Sequence, residues 1–166
     1  MCIRDRYVAK AARAGAMDRP FMEGGEVFED TLEYILGQRS HGDGGFRPES
    51  RVLDGIACSP DRVAPVPESV GDILIEEHKM TWKSARQGIR HEKFWAWWLQ
   101  LAAYMWVWET TRGRFRVFWA CGDYKPPLPQ RKVYEVAVQP EALKRNWEML
   151  KRHAEHAGLY EKYGGS

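Results

Sequence analysis

Apolar positions along the chain fall first at helical spacing, then at strand spacing, and finally at helical spacing again. Phe28, Leu32, Ile35 and Leu36 make a stripe that predicts a helix over 20–37, with Gly37 as its stop. Glycines and polar residues mark 40–50 as a loop. Val52, Leu53, Ile56 and Ala57 predict a strand bent at Gly55, broken by Pro60 and resumed at Arg62-Val63-Ala64. Pro65 and Pro67 mark a turn. A strand over 72–82 follows, with Ile73, Ile75, Glu77 and Lys79 on one face.

A loop holding Gly88 leads into a long helix over 91–111. Residues 114–122 alternate, with Phe115, Val117, Trp119 and Cys121 on one face, and Tyr134, Val136 and Val138 alternate again beyond the prolines at 126–129. Pro140 suits the first position of a last helix, striped by Leu143, Trp147, Leu150 and Ala154. Helix, strands, helix, strands, helix is the order of a mixed α/β sheet covered by helices.

Composition narrows the class. With 166 residues, 44% of them hydrophobic, the chain can bury one core and is no disordered or low-complexity segment. The opening Met1-Cys2-Ile3-Arg4-Asp5-Arg6 resembles the translation of a transposon end used in preparing sequencing libraries. Residues 1–6 are therefore set aside as non-native, leaving 7–166 as a single domain with a truncated N-terminus. Cys2, Cys58 and Cys121 are too few for a disulfide framework, which suits a reducing cytoplasm. The apolar run 94–108 is too short to span a bilayer and reads as a buried helix.

Net charge is only +2, but charge is segregated. Six acids and one arginine fall in 18–33, five bases and one acid in 79–93, and six bases and one acid in 112–132. The pattern fits a phosphate track beside a carboxylate cluster, and equally fits solvated faces with ordinary ion pairs.

The stretch from Cys58 to Trp82 carries the most chemistry. Glu77 and Lys79 share a strand face while His78 points the other way. A carboxylate beside an ammonium is either a plain ion pair or a metal ligand beside a water-positioning lysine. A hard cation needs a second carboxylate, and Asp61 lies where the preceding strand returns. Asp54 competes for that role without the Pro-Asp context, and Glu76, on the opposite face, reads as structural. Glu29 falls in the otherwise inward row Gly25, Glu29, Leu32, Leu36, so it is either half-exposed at the stripe's edge or else paired, protonated or bound to a cation. Gln100 and Tyr104 share a helical face. His153 and His156 have metal spacing but no third ligand, and read as exposed. Trp95, Trp97, Trp98, Trp106 and Trp108 read mainly as core, with a minority left to stack on bases.

These residues carry a resemblance. Pro60-Asp61 followed by Glu77-His78-Lys79 resembles the PD-(D/E)XK nuclease signature, and Ser59-Pro60-Asp61 is similar to the SPD element of lambda/YqaJ-type phage recombination exonucleases. Gln100-Leu101-Ala102-Ala103-Tyr104 matches the QxxxY motif of the RecB-like branch, and Gly25 to Glu29 its GxxxE pattern. The resemblance implies a restriction-endonuclease-like mixed sheet flanked by helices, and a metal-dependent deoxyribonuclease, most similar to recombination or repair exonucleases. It implies Mg²⁺ (or Mn²⁺) held by Asp61, Glu77, the His78 backbone carbonyl and Glu29, with Lys79, Gln100 and Tyr104 completing the catalytic set. Lys83, Arg86 and Arg90 would track phosphates, with Arg112, Arg114 and Arg116 as the alternative should the track lie elsewhere. RecB-like relatives with an iron–sulfur cluster use four cysteines, so no cluster is expected. DNA is the implied partner, without a membrane, in a bacterial or phage-infected cytoplasm, with self-association or a phage recombination protein as further partners. The alternative reading is a nuclease-fold module that binds or assembles without catalysis.

Overall fold

The computed structural model describes residues 45–66, 68–120 and 129–157. The predicted helix over 20–37, and Glu29 with it, lies outside them. So do Cys121 and the prolines at 126–127.

Among the described residues the first strands form a small antiparallel hairpin, β1 (Arg51–Leu53) and β2 (Ile56–Cys58). This corrects the single bent strand expected from the apolar run. Asp54 and Gly55 both adopt left-handed backbone, φ 49° and 70°, as a two-residue hairpin turn requires. The segment after Pro60 does not resume that strand either. Proline offers no N–H to a ladder, and β3 (Arg62–Pro65) joins a different sheet.

Among the described residues that sheet has four strands, in the order β3, β4 (Ile73–Thr81), β5 (Arg112–Trp119), β6 (Gln130–Ala137). β3 and β6 run antiparallel to their neighbours, while β4 and β5 are parallel. Parallel neighbours need a crossover, and α1 (Trp95–Val107) supplies it. A 3₁₀ turn over Glu92–Phe94 precedes α1, so the helix is shorter than the predicted 91–111. It stops where Glu109 turns left-handed (φ 55°), with the Glu109 and Thr110 N–H groups returning to the Trp106 and Met105 carbonyls.

Register decides which β4 side chains meet α1. Ile75, Glu77 and Lys79 pair with Gly113, Phe115 and Val117. Phe115 touches Trp97 and Trp98 of α1, so this is the helix-covered face. Gly113 lets the helix come close, because a Cβ there would stand 3.0 Å from Leu101 and Met105 atoms. The core lies in this layer: Ile75, Leu101, Met105, Phe115, Val117 and Trp119 are buried. α2 (Pro140–His156) packs on α1, with Leu143 and Trp147 turned inward and His153 and His156 exposed. No described helix is long and apolar enough to cross a membrane.

Candidate active site

Three of the singled-out side chains meet where β3 begins and β4 continues past it. The last β3–β4 partners are Arg62 and Glu76, so among the described residues β4 from Glu77 onward has no strand on that side. Asp61 takes the place of the ladder. Its Oδ2 accepts the His78 N–H at 2.7 Å, and its own N–H donates to Glu77 Oε1 at 3.3 Å. Along a strand a residue's N–H and C=O face the same side, so the His78 carbonyl also opens toward Asp61. Pro60, the residue before Asp61, is buried.

Lys79, two residues on and on the same face, donates from Nζ to Glu77 Oε2 at 2.5 Å. Its side chain is 12% exposed, whereas that of Glu77 is shut off from solvent. Burial pushes the Glu77 carboxyl up to about 8, and the nearby Asp61 charge adds to this against the opposing pull of Lys79. A carboxylate under such pressure is stabilised by further positive charge. Asp61 is half-buried and forms the more open side of the cluster.

Gln100 and Tyr104 lie on α1, which covers the Glu77 face, and Gln100 Nε2 donates to Tyr104 Oη at 3.0 Å. Tyr104 is buried and Gln100 half-buried. Lys83, Arg86 and Arg90 lie on the segment beyond the end of β4, Lys83 half-buried and both arginines exposed. Lys93, passed over in reading the sequence, approaches Lys83 from the far end of that segment.

Two alternatives are corrected. Asp54 sits in the β1–β2 turn, where its carboxylate accepts from Trp147 Nε1 at 2.8 Å and pairs with Lys151 at 3.3 Å. It ties the hairpin to α2 and does not join Asp61 and Glu77. Arg114 and Arg116 do not form an open track, because both turn to Glu76, at 3.1 and 2.6 Å, and Arg114 also holds Glu135. Glu76 is fully buried on the sheet face opposite Glu77 and also accepts from His78 Nε2 at 3.1 Å. Burial alone would raise its pKa. The His78 and Arg116 hydrogen bonds overcome that and hold it far below the usual carboxylate range. The other singled-out tryptophans divide as follows: Trp97 and Trp98 pack on core aromatics, Trp106 is half-buried, Trp108 is buried, and Trp95 is exposed.

The donors at this point are oxygens: two carboxylates and a strand carbonyl, which suits a small hard cation better than a thiophilic one. Among the described residues no three His, Cys, Asp or Glu side chains cluster as a metal site, so Asp61 and Glu77 are a pair. A cavity of about 740 Å³ opens elsewhere, between β1, the end of α1 and the start of α2, and contains neither.

No family model matches the sequence, and no curated protein matches it. Solved structures do. The protein SSO0001 superposes with a TM-score of 0.53 at 16% identity, over 89% of this chain and 73% of its own. A phage-related exonuclease from Haemophilus somnus 129PT superposes with a TM-score of 0.52 at 16% identity, over 85% of this chain and 70% of its own. At this identity the likeness is one of fold; among the described residues this chain has a four-stranded mixed sheet flanked by two helices.

Proposed function

We propose that the chain is a metal-dependent deoxyribonuclease that hydrolyses phosphodiester bonds, of the phage recombination or repair exonuclease kind. The observation that supports it is the exchange among Asp61, Glu77 and Lys79: two carboxylates and one ammonium, from β4 and from the residue before β3, joined at one strand edge. The shared fold with a phage-related exonuclease is consistent with it.

Asp61, Glu77 and the His78 carbonyl would hold Mg²⁺ or Mn²⁺, with Glu29 as the further acid that the motif resemblance implies. When bound, the cation polarises the scissile phosphate and eases ionisation of a water. Lys79 is fixed by Glu77 at 2.5 Å, so its remaining N–H bonds have a set direction. They orient the attacking water and stabilise charge gathering on the phosphoryl oxygens. Glu77 thus acts twice, as ligand and as anchor for the lysine. Gln100, held by Tyr104, braces the site from α1 and contacts the DNA backbone. Arg86 and Arg90 meet phosphates further along, fixing position without reading sequence.

The deciding experiment compares linear with circular DNA, each with Mg²⁺ and with chelator. Mg²⁺-dependent loss of the linear form alone identifies an exonuclease, and loss of both an endonuclease. Binding without cleavage under all conditions replaces the proposal with a binding module.

A further inference from the structure

The chain just ahead of the hairpin touches β3 on the side away from β4. Phe46 and Val63 exchange both backbone hydrogen bonds, each at 2.8 Å, as an antiparallel pair. Directly paired residues of antiparallel strands turn their side chains to one face. Val63 in turn pairs with Ile75, and both are buried in the core layer. Phe46 therefore belongs to the face that carries Ile75, Glu77 and Lys79. Its neighbour fixes the same orientation from the other side. A Cβ on Gly45 would overlap the Arg62 guanidinium, which lies with Glu76 on the opposite face. Gly45 points one way, so Phe46 points the other.

Val63 and Ile75 are closed to solvent, whereas Phe46 is 60% exposed. Its ring stands at the rim of the core layer, outside it. Asp61 precedes Val63 by two residues, at most ~7 Å along the chain, and Phe46 lies ~5.5 Å across from Val63. The Phe46 and Asp61 Cα atoms are thus no more than about 13 Å apart. A single exposed apolar residue is ordinary in itself. This one shares a face with Glu77 and Lys79 and flanks Asp61, and its backbone is pinned by two hydrogen bonds. A contact made there costs only the ordering of its side chain. An open ring suits a strand whose base faces are bare, because a duplex hides those faces in its own stack.

We propose that Phe46 is a base-stacking residue of the Asp61–Glu77–Lys79 site, its ring lying on an unpaired base of a single DNA strand close to the reacting phosphate. This deepens the nuclease reading and rests on it for one point, that the strand held here is the strand cut. A separation of about 13 Å is roughly four steps of a DNA strand at ~3.4 Å each. The stacked base therefore lies within about four nucleotides of the phosphate at Asp61. Stacking holds the strand without reading its sequence, since every base offers a ring face.

The test titrates the full chain, in chelator, with oligodeoxythymidine, with a strand of equal length built of abasic units, and with a blunt duplex. Phe46→Ala should weaken oligodeoxythymidine binding about five-fold or more, the low end of what one base–aromatic stack supplies. Phe46→Trp should keep that affinity, and Phe46→Leu, apolar but without a ring face, should lose it as Phe46→Ala does. Binding of the abasic strand and of the duplex should change less than about two-fold in each variant. Unchanged oligodeoxythymidine binding by Phe46→Ala, full affinity in Phe46→Leu, or an equal loss on the abasic strand overturns the stack. Mg²⁺-dependent cleavage by the parent protein is measured alongside. Ring-dependent binding without cleavage keeps the stack and removes the nuclease reading, whereas cleavage with ring-independent binding does the reverse.

Discussion

Glu76 and Glu77 are consecutive residues of one strand, both closed to solvent, and their carboxyls are driven in opposite directions. Glu76 faces Arg114, Arg116 and His78 and is held as an anion. Glu77 faces the α1 layer with Asp61 and Lys79, and its carboxyl is pushed up to about 8. The alternation of the pleat alone separates them. One carboxylate is matched within the fold, and the other is left short of positive charge.

Their replacement should therefore have opposite effects. Glu76→Ala takes the buried anion from half-buried Arg114 and Arg116, of which Arg114 keeps Glu135, and should cost about 3–5 kcal/mol, read as a lower urea midpoint. Glu77→Gln should fold at least as stably as the parent and lose cleavage. Equal stability losses in the two variants would count against the division.

The pH dependence follows with the signs worked out. The folded Glu77 value, about 8, lies above the ordinary 4.5. Its contribution to stability is full below about pH 4.5 and is lost as pH rises through 8. The stability advantage of Glu77→Gln should accordingly grow from pH 5 to 9. Glu76 is depressed, so its contribution is present above the ordinary carboxylate range and is lost as pH falls below it. Unfolding midpoints across pH for the parent and each Gln variant check both slopes.

Cation binding should release protons. A carboxyl that titrates near 8 is mostly protonated at pH 7 and must ionise to ligate. Titrating Mg²⁺ into the protein at pH 7 in two buffers of different ionisation enthalpy should show about one proton leaving. Glu77→Gln should abolish the difference. Heats that do not depend on buffer in the parent protein would remove Glu77 from the ligand set.

Lys79→Ala should lower turnover at least ~10²-fold while DNA affinity stays within a few-fold, since the ammonium acts on charge developing in the transition state. Single-turnover cleavage and equilibrium binding separate the two. Comparable cleavage by variant and parent would dismiss the lysine.

Asp61→Asn and Asp54→Asn discriminate the two acids near the hairpin. The first should lose cleavage and weaken Mg²⁺ binding. The second should keep cleavage and lose about 1–2 kcal/mol, because it weakens the tie to Trp147 and Lys151. An active Asp61→Asn with an inactive Asp54→Asn would exchange their roles.

Much of this was legible in the chain, and what was not has identifiable causes. Strand alternation places Glu77 and Lys79 together, and β4 spans 73–81 against a predicted 72–82. Pro140 starts α2 as its fixed φ suggests. The β1–β2 hairpin was hidden because its apolar residues fit one strand as well as two, and only the left-handed backbone at Asp54 and Gly55 divides them. The Glu76 cluster was hidden because its arginines lie 38 and 40 residues away, brought across by parallel register. The approach of Lys93 to Lys83 depends on how the segment after β4 closes, which no local pattern encodes.

The Glu76 cluster also bears on chemistry it never touches. Strand side chains alternate, so sliding β4 by one position against β5 would exchange its faces. Glu77 would then swing toward Arg114 and Arg116, and Glu76 would enter the layer under α1. The β5 residues there are Gly113, Phe115, Val117 and Trp119, none of them charged. Such a slip would also carry Lys79 onto the arginine face, like charge against like, and turn buried Ile75 out of the layer under α1. The order of apolar, acidic and basic positions along β4 thus works as an index: with Glu76 set against the arginines, Glu77 and Lys79 stand beside Asp61.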